Sequence, residues 1–141
     1  MILPDVNVLL YAFRGDSSDH PAYRGWLESV MNGEMAYGMS PQVLAGVLRV
    51  ATHPRIFRQP SRLSDVIAFT TVLLNQPHCQ IVQPGARHWS IFQDLCQRAN
   101  VTGNLVQDAW FAALAIESGC EWITADRDFA RFEGLCWRPP L

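Results

Sequence analysis

A chain of 141 residues, 49% of them hydrophobic, has room for one domain with a substantial core and is too apolar to be disordered. A net charge of −2 sets up no global field for nucleic acid, and no apolar run is long enough to span a bilayer. All 11 basic residues are arginine, and the absence of lysine removes the P-loop, Schiff-base chemistry and the phosphoaspartate folds that set a lysine beside the aspartate.

The chain opens MILPDVNVLLYAF. Ile2 to Pro4 reads as a short buried strand that ends at Asp5, and Val6 to Phe13 as a helix. With Asp5 inside its apolar run and no basic stretch before it, this terminus does not read as a signal peptide. Ala22 to Met31 is helical, with Trp26, Leu27 and Val30 apolar at helical spacing. Ala36 to Met39 is a candidate strand. Ser40 and Pro41 then start a helix as N-cap and first-turn proline. Its apolar stripe is Val43, Leu44, Val47, Leu48 and Ala51.

THPRIFRQP is a loop. No acidic residue falls between Glu34 and Asp65, while Arg49, Arg55, Arg58, Arg62 and His53 do. This is either a solvated face or an arm that contacts phosphates. Leu63 to Leu74 is helical, and Gln80 to Val82 a short strand. Trp89 to Ala99 is a helix with Ile91, Phe92, Leu95 and Cys96 inward. Leu105 to Ser118 is a helix with Asn104 as N-cap, Gln107 completing a capping box and Gly119 ending it. Trp122 to Ala125 is a strand, DRDFARF a short helix, and CWRPPL a last strand stopped by prolines.

Short apolar strands alternating with helices define an α/β domain: a central, mostly parallel sheet with helices on both faces. The cysteines Cys79, Cys96, Cys120 and Cys136 form no C-x-x-C pair and read as reduced packing thiols of a cytoplasmic protein. The five tryptophans read as core. G-x-S-x-G, G-x-G-x-x-G and H-E-x-x-H are absent, which removes support for serine-nucleophile, dinucleotide and zincin readings.

Asp5 and Asp126 each end a strand and start a helix. In a parallel sheet that is the carboxyl edge, where ligands bind. Asp108 lies in the first turn or so of its helix and can join them. Each aspartate alone has a plain explanation as an N-cap or a partner of the helix dipole. Together, clustered carboxylates repel unless a cation or protons intervene. An all-oxygen cluster suits magnesium or manganese, ions that activate water and stabilise phosphoryl oxygens. Thr124 can add a hydroxyl, Asp128 a further carboxylate, and Asn7 a hydrogen bond that orients Asp5.

MILPDVNVLLYAF, SPQVLAGVLRV, LVQDAWFAALAIESG and ITADRDF resemble, in order and spacing, the four signature regions of PIN-domain ribonucleases, most closely the VapC-type toxins of bacterial toxin–antitoxin pairs. The resemblance covers nearly the whole chain and implies a single PIN domain over residues 1–141. It implies a magnesium-dependent (or manganese-dependent) endoribonuclease that cuts structured RNA such as transfer or ribosomal RNA. It also implies a VapB-type antitoxin and frequent homodimers. Asp5, Asp108 and Asp126 match three of the family's acidic positions and would hold the ion, with Arg49, Arg55 and Arg58 contacting RNA.

The fourth acidic position departs from the family. Where the family helix usually reads LAEVLRV, this chain reads LAGVLRV, with Gly46 in place of the glutamate. A mid-helix glycine costs about 1 kcal/mol relative to alanine. Gly46 lies off the apolar stripe, so close helix packing is not required to explain it. Three accounts stand: a natural loss of activity, a close-approach glycine in an active variant, or an inactivating change made for expression. The rival to a metal-dependent RNA hydrolase is a catalytically silent PIN-fold module that keeps only antitoxin binding. A phosphatase with Asp5 as nucleophile draws on D-V-N but lacks the lysine.

Overall fold

The computed structural model describes residues 1–141. Five parallel strands form one sheet in the order β3-β2-β1-β4-β5. The strands are β1 (Ile2–Pro4), β2 (Tyr37–Met39), β3 (Cys79–Ile81), β4 (Glu121–Ile123) and β5 (Trp137–Arg138). Between them run α1 (Val6–Phe13), α2 (His20–Asn32), α3 (Pro41–Ala51), α4 (Leu63–Leu74), α5 (His88–Ala99) and α6 (Asn104–Ser118). A 3-10 turn, Arg127–Arg131, joins β4 to β5.

The strands are short, and the central ones are the dry ones. Leu3, Tyr37, Met39, Trp122 and Ile123 are fully buried. The chain steps from β1 to β2 to β3 in one direction, then crosses back to place β4 on the other side of β1. Right-handed crossovers of opposite direction put their helices on opposite faces. The packing agrees: α1 lies against α2 and α3, and α3 against α4, while α5 and α6 pair with each other. The reversal makes the gap between β1 and β4 a topological switch point, open at the carboxyl ends of the strands.

The expected elements are all present, with ends displaced by a residue or two. The start of α6 differs in kind. Gly103, at φ +60, is its N-cap, and Asn104 is already helical. No side chain caps this end, so the expected capping box is not formed. Glycine takes this backbone conformation without a Cβ penalty, which a side-chain cap at Asn104 could not supply. The tryptophans divide as well: Trp122 is buried, but Trp89 on α5 is 66% exposed and lies against Phe92 at its edge. The four cysteines are free, and no helix is long and apolar enough to cross a membrane.

Candidate functional site

Asp5 caps α1. Its Oδ1 accepts the Val6 N–H at 2.6 Å, so the plain N-cap role is real. Its other oxygen does more. Oδ2 accepts the Thr124 hydroxyl at 2.6 Å and the Asn7 amide at 3.1 Å. Asn7 also donates to Thr124 Oγ1 at 3.2 Å and accepts the Ala125 N–H at 3.1 Å. Thr124 Oγ1 in turn accepts the Asp126 N–H at 3.0 Å. One network therefore stitches the β1–α1 junction to the chain leaving β4, across the switch point. Asn7 and Thr124 orient the aspartates through hydrogen bonds that reach over more than a hundred residues of sequence.

Asp126 caps the 3-10 turn by accepting the Asp128 N–H at 2.8 Å. Asp108, one turn into α6, faces the same edge. Burial lifts the Asp5 carboxyl to about 6 against hydrogen bonds from Thr124 and Val6 that pull it down, and the charges of Asp108 and Asp126 add to the rise. Burial likewise lifts Asp108 to about 6, with the charges of Asp126 and Asp128 adding and Arg131 opposing. The four aspartates thus share one field.

Arg131 is the residue that sequence reading missed. It donates to the Asp128 carbonyl at 2.9 Å and lies 3.7 Å from its carboxylate. The spacing of three residues within DRDFAR was the available signal.

No three His, Cys, Asp or Glu side chains are drawn together tightly enough to close a metal site on their own. The donors facing the edge are nonetheless all oxygen, the set that a hard divalent cation takes. Burial first, and the charges of neighbouring carboxylates second, raise the proton affinity of Asp5 and Asp108, and a cation at the edge would offset the second of these. By chemistry, then, the residues fit such an ion, with water completing its shell. Asp5 is poorly placed as a phosphatase nucleophile: it is 6% exposed and both its oxygens are engaged.

Gly46 requires a correction. A Cβ at this position would lie 2.8 Å from Cγ2 of Val6, the residue after Asp5. Close helix packing therefore does explain the glycine, because α3 approaches α1 beside the acidic edge. The helical wheel places Gly46 off the main stripe, but α1 meets α3 on that flank. Arg49, Arg55 and Arg58 are exposed, and no ion pair of the molecule engages them or Arg62.

Comparison with known proteins gives the family and the fold. Residues 2–135 match the model of the PIN domain. The chain belongs to the PIN-domain family. Within it, the chain falls among the VapC ribonucleases: it is 43% identical to ribonuclease VapC43 of Mycobacterium tuberculosis over 141 residues, covering 100% of this chain and 96% of that protein. Among solved structures it is similar to VapBC2 of Rickettsia felis bound to a promoter DNA fragment, with a TM-score of 0.73 and 18% identity over 99% of this chain and 98% of that one. It is also similar to VapC20 of Mycobacterium tuberculosis, described as a sarcin-ricin loop cleaving toxin, with a TM-score of 0.65 and 14% identity over 96% and 98%. At these identities the structural matches speak for the fold.

Proposed function

We propose that this chain is the toxin of a VapBC-type toxin–antitoxin pair: one PIN domain acting in the cytoplasm as a magnesium- or manganese-dependent endoribonuclease on structured RNA, transfer or ribosomal. The observation that carries the reading is the shared field of Asp5, Asp108 and Asp126 at the switch point. It adds to the rise in proton affinity that burial gives Asp5 and Asp108. A divalent ion held there would supply activation of water and charge stabilisation for phosphodiester hydrolysis.

The chain's own residues do the positioning. Asp5, Asp108 and Asp126 would hold the ion, with Asp128 next to them. Thr124 and Asn7 keep Asp5 turned toward the edge, so its geometry is set before RNA arrives. Arg55 and Arg58, free of carboxylate partners, would take up backbone phosphates, and Arg49 on the last turn of α3 extends that surface.

A VapB-type partner is supported by a groove of about 380 Å³ between α1, α2 and α4, lined by Phe13, Leu27, Met31, Phe69 and Val72. An amphipathic helix fits such a groove, and an arginine from the same peptide could pair with the acidic edge. A homodimer is part of the same reading.

The silent-module alternative also has an observation in its favour. Val6 fills the space where a side chain at position 46 would begin, so the site carries one carboxylate fewer than the family pattern. The test is cleavage of transfer and ribosomal RNA across a magnesium titration, comparing the chain with Gly46→Glu and with Gly46→Glu combined with Val6→Ala. We expect weak cleavage by the chain and stronger cleavage by the double variant. Equal rates for all three at every magnesium concentration would remove position 46 from the catalytic account. No cleavage by any of them would favour the silent module.

A further inference from the structure

Arg14 is the least exposed end of an ion pair in the molecule, with only 10% of its side chain accessible. It is the C-cap of α1, the helix that Asp5 caps at the other end. Its guanidinium makes four hydrogen bonds. It donates to both oxygens of Asp16 at 3.0 and 2.7 Å, to the Ser61 hydroxyl at 2.9 Å and to the Gln59 carbonyl at 3.1 Å. It also stacks over the Phe57 ring, 3.6 Å from its centroid.

Three of these partners lie in the segment between α3 and α4 that carries Arg55 and Arg58. Its other ties are few and mostly local, among them the Arg55 N–H on His53 Nδ1 at 3.0 Å. Ser61 N–H reaches the Ala51 carbonyl at 2.8 Å, and Ile56 and Phe57 fold onto His53, but the N–H groups of Arg58 and Gln59 have no backbone partner. The positive charge of Arg14 is answered internally by Asp16, so what the clamp presents outward is the charge of Arg55 and Arg58.

We propose that Arg14 is a positioning residue for RNA: it holds the 52–62 segment against the end of α1, so that Arg55 and Arg58 meet phosphates at a fixed distance from Asp5. The two ends of α1 are about 12 Å apart at 1.5 Å per residue. The inference rests on the RNA-binding reading of Arg55 and Arg58 proposed above. Lysine at position 14 would keep the charge but lose the planar fork and the stacking on Phe57.

The experiment is binding of an end-labelled fluorescent RNA stem-loop, followed by anisotropy without divalent ions so that no cleavage intervenes. The variants are Arg14→Lys, Phe57→Leu, the pair Arg55→Gln with Arg58→Gln, and Arg14→Lys added to that pair. We expect Arg14→Lys to weaken binding about tenfold, or about 1.4 kcal/mol, and to flatten its salt dependence as the loop pair does. On the loop-pair background, Arg14→Lys should add nothing, since the groups it positions are gone. An equal loss on both backgrounds would overturn the positioning role. So would a loss from the loop pair without any from Arg14→Lys or Phe57→Leu. A neutral loop pair would instead overturn the RNA-binding reading of the segment, and this inference with it. Should Arg14→Lys lose its fold by circular dichroism, Phe57→Leu and Ser61→Ala, each deleting one contact at unchanged charge, decide the matter by the same comparison.

Discussion

At the scale of single residues, the acidic edge stores an electrostatic penalty that protons can relieve. Asp108 goes from an ordinary value of 3.8 to about 6 on folding, through burial first and the charges of Asp126 and Asp128 second. Between those values the folded chain holds a proton that the unfolded chain has lost, so stability falls as pH rises through this window and levels off above about 6. Asp5 moves in the same direction for the same first cause. Without divalent ions, the melting temperature should therefore rise as pH is lowered from about 7 to about 5. Asp108→Asn should raise it at neutral pH and flatten part of that rise. The full shift of Asp108 corresponds to about 3 kcal/mol, and its partial exposure screens this to roughly 1 kcal/mol. Thermal melts of the two proteins across pH in the presence of a chelator measure both effects. A pH-independent difference would mean that Asp108 is not ionised against its neighbours' charge. The aspartates were legible in the sequence because they interrupt apolar runs at strand ends. Arg131 was legible only as a local partner of Asp128, since nothing in DRDFAR says that its turn folds back beside α6.

At the scale of elements, Gly46 decides how closely α3 approaches α1. Two terms compete when a Cβ is added there. Alanine is favoured over glycine in a helix by about 1 kcal/mol. Pressing that Cβ to 2.8 Å from the Val6 Cγ2 forces a shift, and overpacking of this kind costs about 1–3 kcal/mol because a β-branched side chain is stiff about χ1. Gly46→Ala should therefore be neutral to destabilising by up to about 2 kcal/mol. In a Val6→Ala background the clash is gone, and the same change should stabilise by up to about 1 kcal/mol. Urea denaturation of the four proteins measures the coupling directly. If Gly46→Ala stabilises equally in both backgrounds, α3 is not held close by the glycine. Helical periodicity placed Gly46 correctly off the stripe of Val43, Leu44 and Val47. It could not show that a second helix packs on that flank, because periodicity describes one helix at a time.

At the scale of the whole molecule, one side of the sheet presents an apolar groove. Its walls are Phe13 of α1, Leu27 and Met31 of α2, and Phe69 and Val72 of α4. Val72 is 51% exposed, and Ile67 and Leu63 on the same helix are exposed as well. A helix left with apolar groups on its outer side is suited to covering by a partner. Co-expression with the product of an adjacent small gene should give one complex on size-exclusion chromatography. Val72→Asp, a change at an exposed position, should break that complex while the toxin alone keeps its helical spectrum. Separate elution of the two unaltered proteins would count against the toxin–antitoxin assignment. Retention of the complex by Val72→Asp would move the docking surface elsewhere.

Local chemistry determined much of this molecule in advance. The alternation of short apolar runs with helical periodicity defined an α/β fold. Ser40 and Pro41 began α3, and Gly119 closed α6, because their side chains or lack of them act within one turn. The three aspartates stood out for the same local reason. Tertiary structure decided the order of the strands, the reversal that opens the edge between β1 and β4, and the network in which Asn7 and Thr124 hold Asp5 from opposite ends of the chain. It also decided that Val6 occupies the space beside Gly46 and that Arg14 clamps a loop more than forty residues away. Each of these depends on which surfaces meet after the crossovers are made, and no pattern within a single element carries that information.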